Sequence, residues 1–110
     1  MKSILFIVIT SLTLFALNND EIEKTIKVFG NCNMCKNRIE EALKIPEVKY
    51  AKWNKRTKLL KIIYSNSISL DSLEKRISAA GHDTENYKAP DNIYNTLPEC
   101  CLYRNNSNTH

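Results

Sequence analysis

The most informative segment of this chain spans residues 30–39 and reads GNCNMCKNRI. Its two cysteines, Cys32 and Cys35, lie where a strand-like run over residues 25–29 gives way to a helix-like run that begins near Cys35. Thiolates are the preferred ligands of soft metal ions, and a helix N-terminus stabilises the negative charge on a ligating sulfur. The sequence therefore predicts that both thiols face one metal ion and are turned toward solvent.

Hydrophobic periodicity on either side of this stretch predicts the remaining elements. Residues 22–29 alternate as a strand, and the apolar stripe that follows Cys35 is typical of an amphipathic helix that Pro46 ends. Residues 48–53 and 59–64 form a predicted hairpin, which a polar turn connects.

A second helix is predicted to begin at the N-cap Ser69 and to end before Gly81, and a short last strand is predicted over residues 82–86. The predicted order is strand, helix, strand, strand, helix, strand. This order indicates an α+β fold, a ferredoxin-like βαββαβ sandwich with both helices on one face of an antiparallel sheet.

With this order of elements, residues 22–85 resemble the heavy-metal-associated domain of copper chaperones, the periplasmic mercury-binding protein and the N-terminal modules of metal-exporting ATPases. The segment from Val28 to Leu43 carries the likeness. One position departs from the family, which usually has Met two places before the first cysteine, where this chain has Gly30. We therefore expect the loop to be looser than in the family, or to be held by Phe29 or Met34.

The resemblance implies a non-enzymatic metallochaperone or metal scavenger that binds a soft ion at Cys32 and Cys35. Cu(I) is the expected ion, and Zn(II), Hg(II) and Cd(II) are the alternatives. The implied partner is a metal-transporting ATPase or another metal-binding domain. In the family, the loop before the last strand packs beside the metal loop, so His82 is a candidate third ligand or pH-sensitive neighbour. A surface histidine is the alternative, and Met34 either lends a thioether or fills space.

Residues 1–19 are predicted to be a secretory signal, because Lys2 precedes an apolar run shorter than the roughly 20 residues of a comfortable membrane span. An uncleaved anchor is the alternative. The predicted domains are then the signal at 1–19, a metal-binding domain at 20–86 and a cysteine-containing extension at 87–110. The expected location is the periplasm if the source is Gram-negative, and otherwise outside the cell, with no membrane contact after signal removal.

The charge of the chain argues against a nucleic-acid partner. The sequence has 16 basic and 12 acidic residues. Signal removal takes away only Lys2, which leaves 15 basic and 12 acidic residues and a net charge of +3. RNA-recognition modules share the predicted order of elements, but residues 58–64 read KLLKIIY and lack their aromatic pattern.

A second cysteine pair, Cys100 and Cys101, lies in the extension. A short helix between Pro90 and Pro98 is expected to dock on the domain and to fix the position of this pair. Neighbouring Cα atoms lie about 3.8 Å apart, whereas a disulfide prefers about 5.5 Å, so the two cysteines are not expected to bond to each other. They could join Cys32 and Cys35, bind a separate ion or act as resolving thiols, or link to another chain. Residues after Arg104 are expected to be disordered.

Two other classes of function fit the cysteines. A periplasmic thiol-disulfide redox protein would use the same two-residue spacing, but such sites normally lie in a thioredoxin-like fold, which this pattern does not predict. A structural Zn(II) module would use all four cysteines.

Overall fold

The computed structural model describes residues 20–104. The predicted signal and the predicted disordered end lie outside this range. The described elements are β1 (Glu21–Lys27), α1 (Asn33–Ala42), β2 (Val48–Trp53), β3 (Leu59–Ser65), α2 (Leu70–Ala79), α3 (Asp91–Tyr94) and a 3₁₀ turn (Glu99–Cys101).

The sheet has three antiparallel strands in the order β1-β3-β2. The central strand alternates as its sequence predicts, since Leu60, Ile62 and Tyr64 are buried. Ile26 of β1 and Trp53 of β2 lie opposite Leu60 on the two neighbouring strands and are buried as well. The inward face of the sheet therefore forms one side of the core, and the predicted hairpin of β2 and β3 is confirmed.

The two long helices bury their apolar stripes against this core. Ile39 of α1 and Leu73 and Ile77 of α2 are fully buried. As predicted, Ser69 caps α2, because its hydroxyl accepts a hydrogen bond from the Ser72 amide at 3.0 Å. Gly81 follows the helix with φ of 110°, a left-handed conformation that favours glycine. Within residues 20–104, no helix combines the length and apolar character needed to cross a bilayer.

The predicted α+β sandwich is confirmed, but the last strand is reduced to one bridge between Val28 and Thr84. The buried carboxylate of Glu74 on α2 explains this difference. It accepts hydrogen bonds from the Thr84 hydroxyl at 2.6 Å and from the Asn86 side chain at 3.0 Å. The Thr84 amide also donates to the Tyr87 carbonyl at 2.8 Å. These bonds hold the segment in a turn, so it does not extend along β1.

We call residues 87–104 the C-terminal strap. Tyr94, Leu97 and Cys101 of the strap belong to the same core cluster as the sheet and the long helices. The strap contains the predicted short helix, which begins after Pro90. Its 3₁₀ turn contacts the end of the molecule where α1 begins. The strap is therefore packed as part of the fold and covers the loop that carries the first cysteine pair.

Candidate metal centre

The local structure of α1 brings Cys32 and Cys35 together. Cys32 is the N-cap of the helix, and its sulfur accepts a hydrogen bond from the Cys35 amide at 3.4 Å. Cys35 lies in the first turn, where its sulfur accepts from the Asn31 amide at 3.4 Å. The helix thus begins two residues earlier than predicted. The two sulfur atoms lie 3.2 Å apart, so both thiols face the same point.

The C-terminal strap brings the second pair to the same point. The sulfur of Cys101 lies 3.1 Å from that of Cys32, and the sulfur of Cys100 lies 3.3 Å from it. All four cysteines are free thiols. The ligand atoms of Cys32, Cys35 and Cys101 all lie within 4.8 Å of one another. Of the possibilities left open by the sequence, the structure favours the one in which the second pair joins the first.

The expectation that both thiols of the first pair face solvent is wrong. Cys35 and Cys101 are fully buried, Cys32 is half-buried, and only Cys100 is exposed. Exposure is lost because the 3₁₀ turn of the strap lies over the loop and places Cys101 against the first pair. The site is therefore a covered thiol cluster with one half-buried and one exposed sulfur at its rim.

The donor set of this cluster consists of sulfur. Two thiolates on one tetrahedral Zn(II), with bonds of about 2.3 Å, lie about 3.8 Å apart. The three clustered sulfurs lie within 4.8 Å of one another, and Cys32 is within 3.1–3.2 Å of the other two. Small shifts of these side chains would therefore admit one ion. Sulfur-only sites select Cu(I), Zn(II) and other soft ions over Mg(II) or Ca(II).

The hydrogen bonds of the cluster place its charge on Cys32. Burial opposes ionisation of this thiol, but hydrogen bonds from Cys101, Cys35 and Cys100 and from the Cys35 amide outweigh that effect and lower the pKa of Cys32 to about 7. Burial raises the pKa of Cys35 and of Cys101, and the hydrogen bond to Cys32 raises the pKa of Cys100. Without metal, the Cys32 thiolate is therefore surrounded by three thiols, and an ion bound to Cys32, Cys35 and Cys101 would replace the protons of Cys35 and Cys101.

His82 is not among the ligand atoms that lie within 4.8 Å of one another. It is fully buried, its Nδ1 lies 2.8 Å from the Phe29 carbonyl oxygen, and its ring stacks on Tyr103 with centroids 5.4 Å apart. Its Nε2 has no hydrogen-bond partner among the described residues. Burial lowers the pKa of His82 to about 4. The alternative that His82 is a surface residue is therefore wrong. Its imidazole instead contacts the backbone at Phe29, immediately before the metal loop.

The residue that holds the metal loop in place is Trp53, which the sequence interpretation missed. The sequence left open a looser loop or one held by Phe29 or Met34, and these two side chains are 39% and 48% exposed. The indole of Trp53 is buried, and its Nε1 donates to the Val28 carbonyl at 2.9 Å. The inward position of Trp53 on β2 was predictable from alternation, but its contact with the loop depends on the missing side chain at Gly30.

No protein-family model and no curated protein matches this chain. Among solved structures, it is similar to the CopZ metallochaperone, with 26% identity, a TM-score of 0.55, and coverage of 57% of this chain and 98% of CopZ. It is also similar to the water-soluble region of the P-type ATPase CopA from Bacillus subtilis, with 27% identity and a TM-score of 0.57. That match covers 62% of this chain but only 47% of the CopA region, about half its length.

A third solved structure supports the fold alone. It is the putative copper-ion-binding protein from Bacillus anthracis str. Ames, with 24% identity, a TM-score of 0.58, and coverage of 62% of this chain and all of that chain. Together, the three structures share the architecture of the sheet and long helices described above.

Proposed function

We propose that this chain, whose predicted resemblance to the heavy-metal-associated domain is confirmed by these matches, binds one Cu(I) ion through Cys32, Cys35 and Cys101 and serves as a metallochaperone or metal scavenger. The observation that carries the proposal is the meeting of these three sulfurs within 4.8 Å. The similarity to CopZ, described as a metallochaperone, supports the choice of copper. Zn(II), Hg(II) and Cd(II) are the alternative ions, because they accept the same ligands.

Transfer of the ion follows from the unequal exposure of the three ligands. Cys35 and Cys101 are buried, whereas Cys32 is half-buried at the rim. A thiolate from an acceptor would therefore reach the ion beside Cys32, and Cys101 would leave when the strap moves away. The ion would stay bound to sulfur throughout and would not be released to water. This exchange requires no reaction on a substrate.

The partner and location belong to the same proposal. The acceptor or donor is a metal-transporting ATPase or another metal-binding domain, and the match to the soluble region of the ATPase CopA supports that choice. The apolar run at residues 4–17 supports export, to the periplasm in a Gram-negative source and otherwise to the exterior. An oxidising location would require the thiols to stay reduced or metal-bound. The burial of Cys35 and Cys101 supports such protection.

Competition for Cu(I) tests the proposal. Protein purified without oxygen is titrated against a chromogenic Cu(I) chelator, and the bound copper is quantified. The wild type should hold one tightly bound ion, and the Cys32→Ser/Cys35→Ser variant should lose it. The matched control is Glu41→Ser/Lys44→Ser, which removes an exposed ion pair at the C-terminal end of α1, with its charged atoms 4.0 Å apart, and should leave binding unchanged. Unchanged affinity in the cysteine variant would refute the proposal.

A structural Zn(II) site is the second candidate, because all three other sulfurs lie within 3.3 Å of the Cys32 sulfur. Against it, the strap is held by protein contacts that need no metal, through Tyr94, Leu97 and Arg104. A structural ion would be required for folding. Circular dichroism of chelator-treated protein distinguishes the structural Zn(II) site from the copper site, since the copper proposal predicts a folded metal-free chain.

The thiol-disulfide redox alternative is tested separately. Reduction of insulin disulfides by the protein would favour it.

A further inference from the structure

We infer that the protein binds a second soft metal ion, Cu(I) or Ag(I), at an outer site formed by Cys100 and Met34, with the Cys32 thiolate bridging the two ions. This inference rests on the proposed function, because Cys32 belongs to both sites. The first ion would occupy the inner site of Cys32, Cys35 and Cys101. The second would lie on the exposed side of Cys32.

The sulfur positions carry the inference. The Cys100 sulfur lies 3.3 Å from the Cys32 sulfur and 3.6 Å from the Met34 sulfur. The Cys100 sulfur of the strap thus lies close to both the Cys32 sulfur at the N-cap of α1 and the Met34 sulfur in its first turn. The 3₁₀ turn divides its two cysteines, because Cys101 is fully buried and Cys100 is exposed. Cys101 therefore faces the inner side of Cys32, and Cys100 faces its outer side.

Met34 is neither part of the hydrophobic core cluster nor among the apolar side chains packed against it. It is 48% exposed at the start of α1, so it does not fill the core as a methionine in such a loop often does. Its thioether instead lies against a thiol, and the combination of thioether and thiolate ligands selects Cu(I) over harder ions. A thiolate sulfur has more than one lone pair, so Cys32 can bind an ion on each side.

The outer site would serve as the point of entry and exit. A soft ion would first bind Cys100, Met34 and Cys32, and the proton of the Cys100 thiol would pass to water. The ion would then exchange ligands across Cys32: bonds to Cys35 and Cys101 form as these two thiols lose their protons, and bonds to Cys100 and Met34 break. One of the two protons returns to the released Cys100 thiolate, and the other passes to water. The metal keeps its oxidation state, so the transfer needs no oxidant or reductant.

Native mass spectrometry with Ag(I), which does not change oxidation state under these conditions, counts the ions on each chain. The wild type should bind two ions. The Cys100→Ser/Met34→Leu variant should bind one, and Met34→Leu alone should weaken the second ion at least tenfold without changing the first. The matched control Leu59→Met, at an exposed apolar position on β3, should bind two. Saturation of the wild type at one ion, or retention of two in the double variant, would overturn the inference.

The oxidation of Met34 by peroxide gives a second readout specific to the outer site. The only other methionine is Met1, so a peptide map reports on Met34 without ambiguity. The second equivalent of Ag(I), but not the first, should protect Met34 at least tenfold. Equal oxidation at one and two equivalents would overturn the inference while the proposed inner site stands. If the tightest ion were retained in Cys32→Ser/Cys35→Ser, the proposed function itself would fail.

Discussion

The indole of Trp53 occupies the space that a side chain on Gly30 would need. A Cβ atom on Gly30 would lie 3.2 Å from the indole and 2.9 Å from the Cβ atom of Cys35. The indole also bonds to the chain just before the loop, since its Nε1 donates to the Val28 carbonyl. The departure from the family at position 30 is therefore matched by a large side chain from β2, which anchors the loop in place of the family's methionine.

Replacing Gly30 with Ala should destabilise the fold by about 1–3 kcal/mol, the usual cost of overpacking a core. The added methyl would have to displace Cys35 or Trp53, neither of which lies at the end of a flexible chain. Urea unfolding monitored by the fluorescence of the single tryptophan measures the effect. The control Asn37→Ala lies on the exposed side of α1 and should change stability by less than about 0.5 kcal/mol. Equal stabilities for the two variants would contradict this packing.

Arg104 is predicted to hold the strap over the cysteine cluster. Its guanidinium donates to the Asp83 carboxylate at 2.8 and 3.2 Å and to the Ala89 carbonyl at 2.8 Å, and it lies 4.1 Å from the centre of the Tyr94 ring. Arg104→Gln should lower the free energy of unfolding by roughly 1–3 kcal/mol, because Asp83 would lose its charged partner in a partly buried position.

Alkylation of Cys101, followed by mass spectrometry, reports on the strap directly. In metal-free Arg104→Gln, Cys101 should react at least fivefold faster than in the wild type, because the strap would open more often. The control Arg56→Gln changes an exposed residue in the β2–β3 turn and should leave the rate unchanged. Equal rates in all three proteins would show that Arg104 does not hold the strap closed.

The stability of the protein should fall in acid because His82 is buried in its neutral form. Its pKa is about 4 in the folded chain and 6.5 as the ordinary value, so the unfolded chain binds the proton first. This contribution to the free energy of unfolding is about 3 kcal/mol above pH 6.5 and declines as the pH falls toward 4. Urea unfolding between pH 7 and 4.5 measures it. The variant His82→Phe should lack this component, and an identical pH dependence in both proteins would contradict the assignment.

Cys32 should be the most reactive thiol of the metal-free protein near neutral pH. Its pKa is about 7, whereas the pKa values of the other three thiols are raised. The thiolate is the nucleophile. Its alkylation by iodoacetamide should therefore rise with a midpoint near pH 7, as resolved by peptide mass spectrometry. Cys32 should be labelled faster even though Cys100 is more exposed. Faster labelling of Cys100 would show that the charge does not reside on Cys32.

Most of the fold could be predicted because its strands and helices are encoded by local periodicity. The alternation in β3 and the Ser69 cap of α2 depend on residues close in sequence. The last strand could not be predicted in the same way. Its loss follows from hydrogen bonds to Glu74, a buried carboxylate ten residues before Thr84, and no pattern within residues 82–86 indicates that contact.

The first cysteine pair was identifiable because one turn of helix fixes its geometry. The position of Cys101 could not be predicted, because it depends on the whole path of the strap and on the contacts of the strap with Asp83 and the core. The exposure of the site was mispredicted for the same reason. The Gly30 and Trp53 contact also joins distant segments, so the sequence indicated a missing anchor without identifying its replacement.

X-ray absorption at the copper edge, on protein loaded anaerobically with one equivalent of Cu(I), counts the sulfur ligands of the inner site. We expect three sulfur ligands on the ion, from Cys32, Cys35 and Cys101, and only two in Cys101→Ser. A shell of two sulfurs in the wild type, or one that contains nitrogen or oxygen, would contradict it.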